Sequence, residues 1–238
     1  MAASLPAVGA TIAWQSSVDM YQGSTSQAFV NTDGITAVAY NNTTDITSGD
    51  TVVTVNGVEF TPQNTGVALV GGTGESITIN GGSDHMDAFG DGEFSSDASI
   101  FHLIRGATFN ISSVTLDGLQ LGQDYLIQVF TNDTRSSRSS SFITGFGDGS
   151  DTTAPVATSA LNNNPPGPSV GDSIIGTFTA DGTSLTFNVF GSSNGGSSWA
   201  SANSQSQINA IQLRAVPEPT SSLLFGLGML GLVSRRRR

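Results

Sequence analysis

The chain contains no cysteine and no lysine, and only two histidines, so several kinds of chemistry drop out at once. Without cysteine there is no disulfide framework, no thiolate metal ligand and no redox pair. Four of the eight basic residues are Arg235 to Arg238, so residues 1 to 215 hold four Arg against eighteen acids. A body that acidic repels phosphate backbones and anionic lipid, which argues against nucleic acid and leaves divalent cations as compatible partners. His85 and His102 are the only imidazoles, and neither a Gly-x-Ser-x-Gly elbow nor an HExxH pair occurs. A glycosidase needs only two carboxylates, but spacing in sequence does not designate a pair that faces a cleft. The expectation is a protein without catalytic residues.

What the chain does have is Gly, Ser, Thr, Asn and Asp in abundance, with Val, Ile, Phe and Thr in short runs between them. That is the profile of strands joined by turns, and 238 residues suffice to bury a sizeable core. Strand-like runs occur at Thr11-Trp14, Ala28-Val30, Ile35-Tyr40, Thr51-Val55 with Val58-Phe60, Val67-Val70 and Ser76-Ile79. They continue at Ser113-Leu116, Tyr125-Thr131, Ser141-Thr144, Ser173-Thr179, Ser184-Phe190 and Gln207-Arg214. The pair Asn56-Gly57 between apolar flanks is a strong hairpin signal. Succession of short strands with little helix predicts an all-β fold, a single two-sheet β-sandwich over residues 11–215.

Along Tyr125-Thr131 both alternating faces are largely apolar, Tyr125, Ile127 and Val129 on one and Leu126, Gln128 and Phe130 on the other. Such a strand is central and needs a cover on its outer face. The helix candidate Asp97 to Arg105, with Ile100, Phe101, Leu103 and Ile104 crowding one side, is a candidate for that cover. Residues Gly145 to Gly171 and Gly191 to Ser206 read as long surface loops.

Candidate sites follow from residue type. Asp84, Asp87, Asp91, Glu93 and Asp97, with Gly90 and Gly92 between, offer hard oxygen ligands suited to calcium, although their spacing matches no EF-hand; the alternative is a solvated acidic loop. Trp199 in Gly195-Gly196-Ser197-Ser198-Trp199 is either a platform for a sugar ring or a plug of the sandwich; Trp14, Tyr21 and Tyr40 are weaker candidates. Arg135 and Arg138 follow Asp133, which suggests a loop-clamping ion pair or a clamp for a ligand carboxylate. Residues 1–10 lack a basic and an apolar leader region, while Val8-Gly9-Ala10 fits a small-residue cleavage site; they read as the remnant of a signal peptide or as a plain terminus.

The most specific signal lies in residues 216–238. Val216-Pro217-Glu218-Pro219 precedes the uncharged stretch Ser221 to Ser234, in which Leu223, Leu224, Phe225, Leu227, Leu230 and Leu232 dominate, and Arg235, Arg236, Arg237 and Arg238 follow. Fourteen residues of helix span about 21 Å, short of a hydrocarbon core of about 30 Å unless flanking residues snorkel. The arginine cluster then acts as a positive-inside anchor with the body on the far side. Gly226-x-Gly228-x-x-Gly231 matches the dinucleotide fingerprint only formally, since no strand precedes it and no acid follows.

These residues resemble the PEP-CTERM sorting domain, which pairs a Pro-Glu-Pro motif with a short apolar transmembrane helix and a terminal Arg cluster. The resemblance implies export, transient anchoring in the inner membrane, processing by an exosortase near Pro217-Glu218-Pro219, and delivery to a cell surface or matrix in bacteria that make exopolysaccharide. The same tail also carries an ice-binding name, an activity that no regular Thr-x-Thr ladder in this sequence supports. The body resembles ectodomains that precede such tails, through Val55-Asn56-Gly57-Val58-Glu59-Phe60-Thr61, Leu119 to Tyr125 with Asp133 and Arg135, Gly176 to Gly182 and Ile208 to Arg214. That likeness implies a galactose-binding-like jelly roll and no catalytic residues. The functional expectation is a structural or adhesive surface protein; the alternative is a carbohydrate-binding module acting on exopolysaccharide, and a glycoside hydrolase comes third.

Overall fold

Because β-branched and aromatic residues alternate with small polar ones in short runs, the described residues pair into two sheets with one helix among them. The computed structural model describes residues 9–20, 27–42, 52–85, 98–133, 141–150, 153–161 and 171–217. Among them one sheet runs, edge to edge, β1 (Ala13–Trp14), β12 (Asp172–Thr179), β9 (Asp124–Thr131), β15 (Ala210–Val216), β3 (Ile35–Asn41), β5 (Val58–Pro62) and β4 (Val53–Val55), with β2 (Val18–Asp19) also on β12. The second runs β11 (Ala157–Ala160), β10 (Ile143–Phe146), β13 (Ser184–Ser192), β8 (Ala107–Asp117), β7 (Ser76–His85) and β6 (Leu69–Val70), with β14 (Ala200–Ser201) on β13. Every pairing is antiparallel except β3 with β5. After β8 the chain crosses repeatedly between the sheets, with β9, β12 and β15 in the first and β10–β11 and β13–β14 in the second, as in a jelly roll.

The main core lies between the sheets and includes Ile77, Val114, Leu116, Tyr125, Ile127, Val129, Phe187, Ile211 and Leu213, all fully buried. Trp14 packs on it at the edge, 5.4 Å from Phe146 and 5.6 Å from Phe187 between ring centroids, and donates from Nε1 to Gly147 O at 2.9 Å. Trp14 is half-buried there, whereas Tyr40 is fully buried and offers no face to a sugar, and Tyr21 lies outside the described residues.

A second core covers the outer face of the first sheet. Phe130, on the outer side of β9, meets Ile100, Leu103 and Ile104 of α1 (Ala98–Arg105), together with Val53, Val55, Val58 and Phe60 of the β4–β5 hairpin. The expectation that β9 is central and capped by a helix is met: it is flanked by β12 and β15 and buried from Tyr125 to Thr131. The hairpin turns at Asn56 and Gly57, both left-handed with φ 50° and 76°, as a type I′ connection requires.

Three expectations change. Ala28-Val30 lies in a turn rather than a strand, and Val30 is buried as part of the outer cover. The stretch read as loop from Gly145 to Gly171 contains β11, and the one from Gly191 to Ser206 contains β14. Strands β7 and β8 are longer than the runs that mark them, because the ladder continues through Asn80 to His85 on one and back through alternating polar and buried apolar residues to Ala107 on the other. The transmembrane helix expected over Ser221 to Ser234 lies outside the described residues; among those described, no helix is long and apolar enough to cross a membrane.

Candidate functional site

The Val-Pro-Glu-Pro tail leaves the sandwich at the end of β15. β15 is held on both sides, Ala215 opposite Ile35 and Tyr125 and Val216 opposite Asp124. Gln123 Nε2 donates to Val216 O at 2.6 Å and to Asp124 O at 2.8 Å, which ties the last residue of the strand to the β8–β9 loop. On the other side Gly34, with φ +76°, lies so close that a Cβ there would stand 2.3 Å from Ala215 O. Only glycine takes both that conformation and that approach. Val216 is half-buried and Pro217 is exposed, so the grip of the fold ends between them. Pro217 carries no N–H and cannot extend the ladder.

Arg214, two residues upstream, fixes the loop that holds this exit. Its Nε donates to Asp33 O at 2.7 Å, Nη2 to Thr32 O at 2.9 Å and Gly34 O at 2.8 Å, and Nη1 to Thr36 Oγ1 at 2.5 Å. Burial pushes its pKa down, and the neighbouring Asp33 charge partly restores it. Beside it Gln212 Nε2 donates to Gln128 Oε1 at 2.8 Å, and Gln128 reaches Phe29 O at 2.6 Å. A buried polar row on the outer face thus pins residues 29–34. Sequence reasoning chose Arg135 and Arg138 instead, which lie outside the described residues. The signal for Arg214 was a lone cation inside an apolar strand run.

At the same end a buried carboxyl joins three elements. Glu75 Oε1 accepts from Tyr125 Oη at 3.0 Å, Tyr125 Oη accepts from Gln120 N at 3.0 Å, and Thr73 Oγ1 donates to Glu75 Oε2. Burial pushes the Glu75 carboxyl up, but hydrogen bonds from Thr73, its own backbone, Tyr125 and Gln120 outweigh it, leaving the pKa below its ordinary value. The Tyr125 hydroxyl is pushed above its ordinary value by burial first and by the Glu75 carboxylate second.

Trp199 stands half-buried on the outer face of the second sheet, against Gly145 of β10 and near Gly196. A Cβ at Gly145 would meet both Trp199 and Pro155 within 3 Å, so the bare glycine is what seats the indole. The same face carries polar rows, with Thr115 Oγ1 at 3.0 Å from Thr186 Oγ1 and Asn80 Nδ2 at 2.9 Å from Thr115 Oγ1.

A cleft of about 400 Å³ opens between the sheets along β3, lined by Thr36 to Ala39, Glu59, Thr61 and Leu69 among others. It exists because β5 pairs with β3 only at Tyr40 and Asn41 before the hairpin lifts onto the outer face. Among the described residues that line it, Glu59 is the one carboxylate. Of the acidic run, Asp84 is the last residue but one of β7 and registers with Thr108, and Asp87, Asp91, Glu93 and Asp97 lie outside the described residues. Among the described residues no three acids or histidines are grouped to hold a metal. Asp133 is buried at the end of β9, its N–H bonded to Leu161 O at 2.8 Å.

Fold and exit together define a β-sandwich that hands its last central strand directly to a sorting signal. Residues 215–238 match the family model of the PEP-CTERM protein-sorting motif, which implies export, processing by an exosortase and sorting to the cell surface. No curated protein matches the sequence. Among solved structures, Bacteroides uniformis beta-glucuronidase is similar at 14% identity and a TM-score of 0.39, with 76% of this chain covering 18% of that one. A calcium-binding mutant of Bacteroides uniformis beta-glucuronidase 2 gives 13% and 0.39 over the same shares. That enzyme covalently bound to cyclophellitol-6-carboxylate aziridine gives 15% and 0.38, again over 76% and 18%. The chain therefore spans under a fifth of these structures, and likeness at this level assigns no activity.

Proposed function

We propose that this chain is an exported surface or matrix protein whose sandwich is a non-enzymatic structural or adhesive module, held transiently in the inner membrane by its tail and then released by an exosortase. The observation that supports it best is the sorting motif abutting β15. Five Leu, Phe225, Met229 and Val233 gain on transfer to lipid, whereas four consecutive Arg resist crossing, so export stalls there. Pro217 and Pro219 prevent a helix from extending back through Glu218 and keep the tetrapeptide extended for a transpeptidase. In an exosortase-bearing host the mature protein is expected to lack Arg235 to Arg238, and replacing all four by Ala is expected to accumulate precursor. Intact-mass measurement of the surface fraction decides; a mature chain still ending in four arginines refutes the reading.

A second reading, a module that binds exopolysaccharide, is favoured by Trp199 on a hydroxyl-rich sheet face. Stacking of a pyranose ring on the indole with hydrogen bonds to neighbouring hydroxyls is the contact it would use. Binding on a glycan array that Trp199→Ala abolishes supports it, and no binding by the parent protein removes it.

A further inference from the structure

The junction of fold and signal has no slack. Val216 is fixed by β-pairing to Asp124 and by the Gln123 amide at 2.6 Å, and the uncharged stretch begins at Ser221. Only Pro217, Glu218, Pro219 and Thr220 intervene, so Val216 and Ser221 are five residue steps apart and at most about 18 Å from each other. A sandwich gripped as far as Val216 therefore stands no further than that from the point where the stretch enters lipid. Its nearest surface is the end face around the exit of β15, where Leu121 is 75% exposed and Ile35 62% exposed. Leu121 lies two residues before the Gln123 that clamps Val216, and Ile35 registers with Ala215, so the two flank the exit.

From this we infer that the end face bearing Leu121 and Ile35 is a lipid-contacting surface, seated on the bilayer while the signal is engaged. The inference rests on the reading of Ser221 to Ser234 as a membrane segment. The carboxylates at this end, Asp33 and Asp124 among them, oppose an anionic surface, so the contact uses the two aliphatic side chains and the short tether and favours zwitterionic headgroups. Isolated exposed aliphatics are ordinary on a protein surface. Here the chain length makes them the residues that meet the membrane first.

The absence of native cysteine makes a test direct. The full chain carrying Leu121→Cys, or Ser193→Cys at the opposite end, is labelled with an environment-sensitive fluorophore and reconstituted in phosphatidylcholine vesicles containing shallow spin-labelled phosphatidylcholine. The strands put the two ends roughly 25 Å apart, so quenching at 121 is expected to exceed that at 193 at least about twofold. A flexible spacer of about twelve residues between Val216 and Pro217 is expected to remove the difference. Flotation with the vesicles but equal quenching at the two positions overturns the inference alone. Failure to float overturns it together with the reading of the tail.

Discussion

At the scale of single residues, the arrangement depends on buried polar groups whose partners are backbone. Arg214 is 5% exposed and donates to three loop carbonyls, to Thr36 Oγ1 and, at 3.3 Å, to Gln212 Oε1. Removing the guanidinium orphans the carbonyls of Thr32, Asp33 and Gly34 beside the exit of β15. Arg214→Ala is expected to cost about 2–4 kcal/mol, read from denaturant unfolding, and Arg214→Met nearly as much, because packing of the stem does not replace the donors. Little loss in Arg214→Met would mean that the stem, not the guanidinium, matters. Glu75 makes a pH-dependent contribution of definite sign. Its folded pKa is depressed, so the stability it adds is present above the ordinary carboxylate value of about 4.5 and is lost as pH falls through the lower folded value. Tyr125 is shifted the opposite way, so its contribution holds below about 10 and is lost as pH rises through the folded value. Glu75→Gln is expected to flatten the acid limb of a plot of melting temperature against pH and to lower the plateau at neutral pH; an unchanged acid limb would remove this assignment.

At the scale of elements, the first sheet is buried on both faces only because α1 and the β4–β5 hairpin lie over it. Leu103 of α1 is fully buried between that helix and the sheet. Leu103→Ala is expected to destabilise by about 2–5 kcal/mol through the cavity it leaves, with no change in β-sheet circular dichroism at low temperature. A smaller loss would show that the helix is a loose cover. Much of this layer was legible in the sequence. Both faces of β9 were apolar, the helix carried its apolar residues on one side, and Asn56-Gly57 announced its own turn. β11 and β14 were not legible, since four residues of Ala157–Ala160 and two of Ala200–Ser201 owe their pairing to β10 and β13 rather than to their own pattern. Ala28-Val30 misled for the reverse reason, as its apolar residues face a core without belonging to a ladder. The sorting motif is linear and could be read directly. Its attachment to a central strand could not, because that depends on Gly34 and Gln123, which meet Val216 only after β3 and β9 have paired with β15.

At the scale of the whole molecule, the order of the strands along the chain decides when the sandwich can close. β15 is the last strand of the described fold, yet it lies between β9 and β3, and nearly its full length pairs with both. It carries Ile211 and Leu213 into the main core and Gln212 and Arg214 into the polar row outside. Without it, β3 with its hairpin and β9 with β12 are two separate pieces, each with an open edge and half a core. Contacts of such sequence separation form late and all together. A chain ended after Pro217 retains every pairing of β15 and is expected to unfold cooperatively at the same temperature as the full chain. One ended after Asn209 is expected to show no cooperative transition and to expose apolar surface to a dye such as ANS. Thermal melts of the two, followed by near-ultraviolet circular dichroism, make the comparison; a cooperative melt in the shorter chain would mean that the remaining strands close without β15. With the expected result, the body reaches its folded state only once Val216 has joined the ladder, so the fold is completed by the residue that directly precedes the Pro-Glu-Pro of the sorting motif.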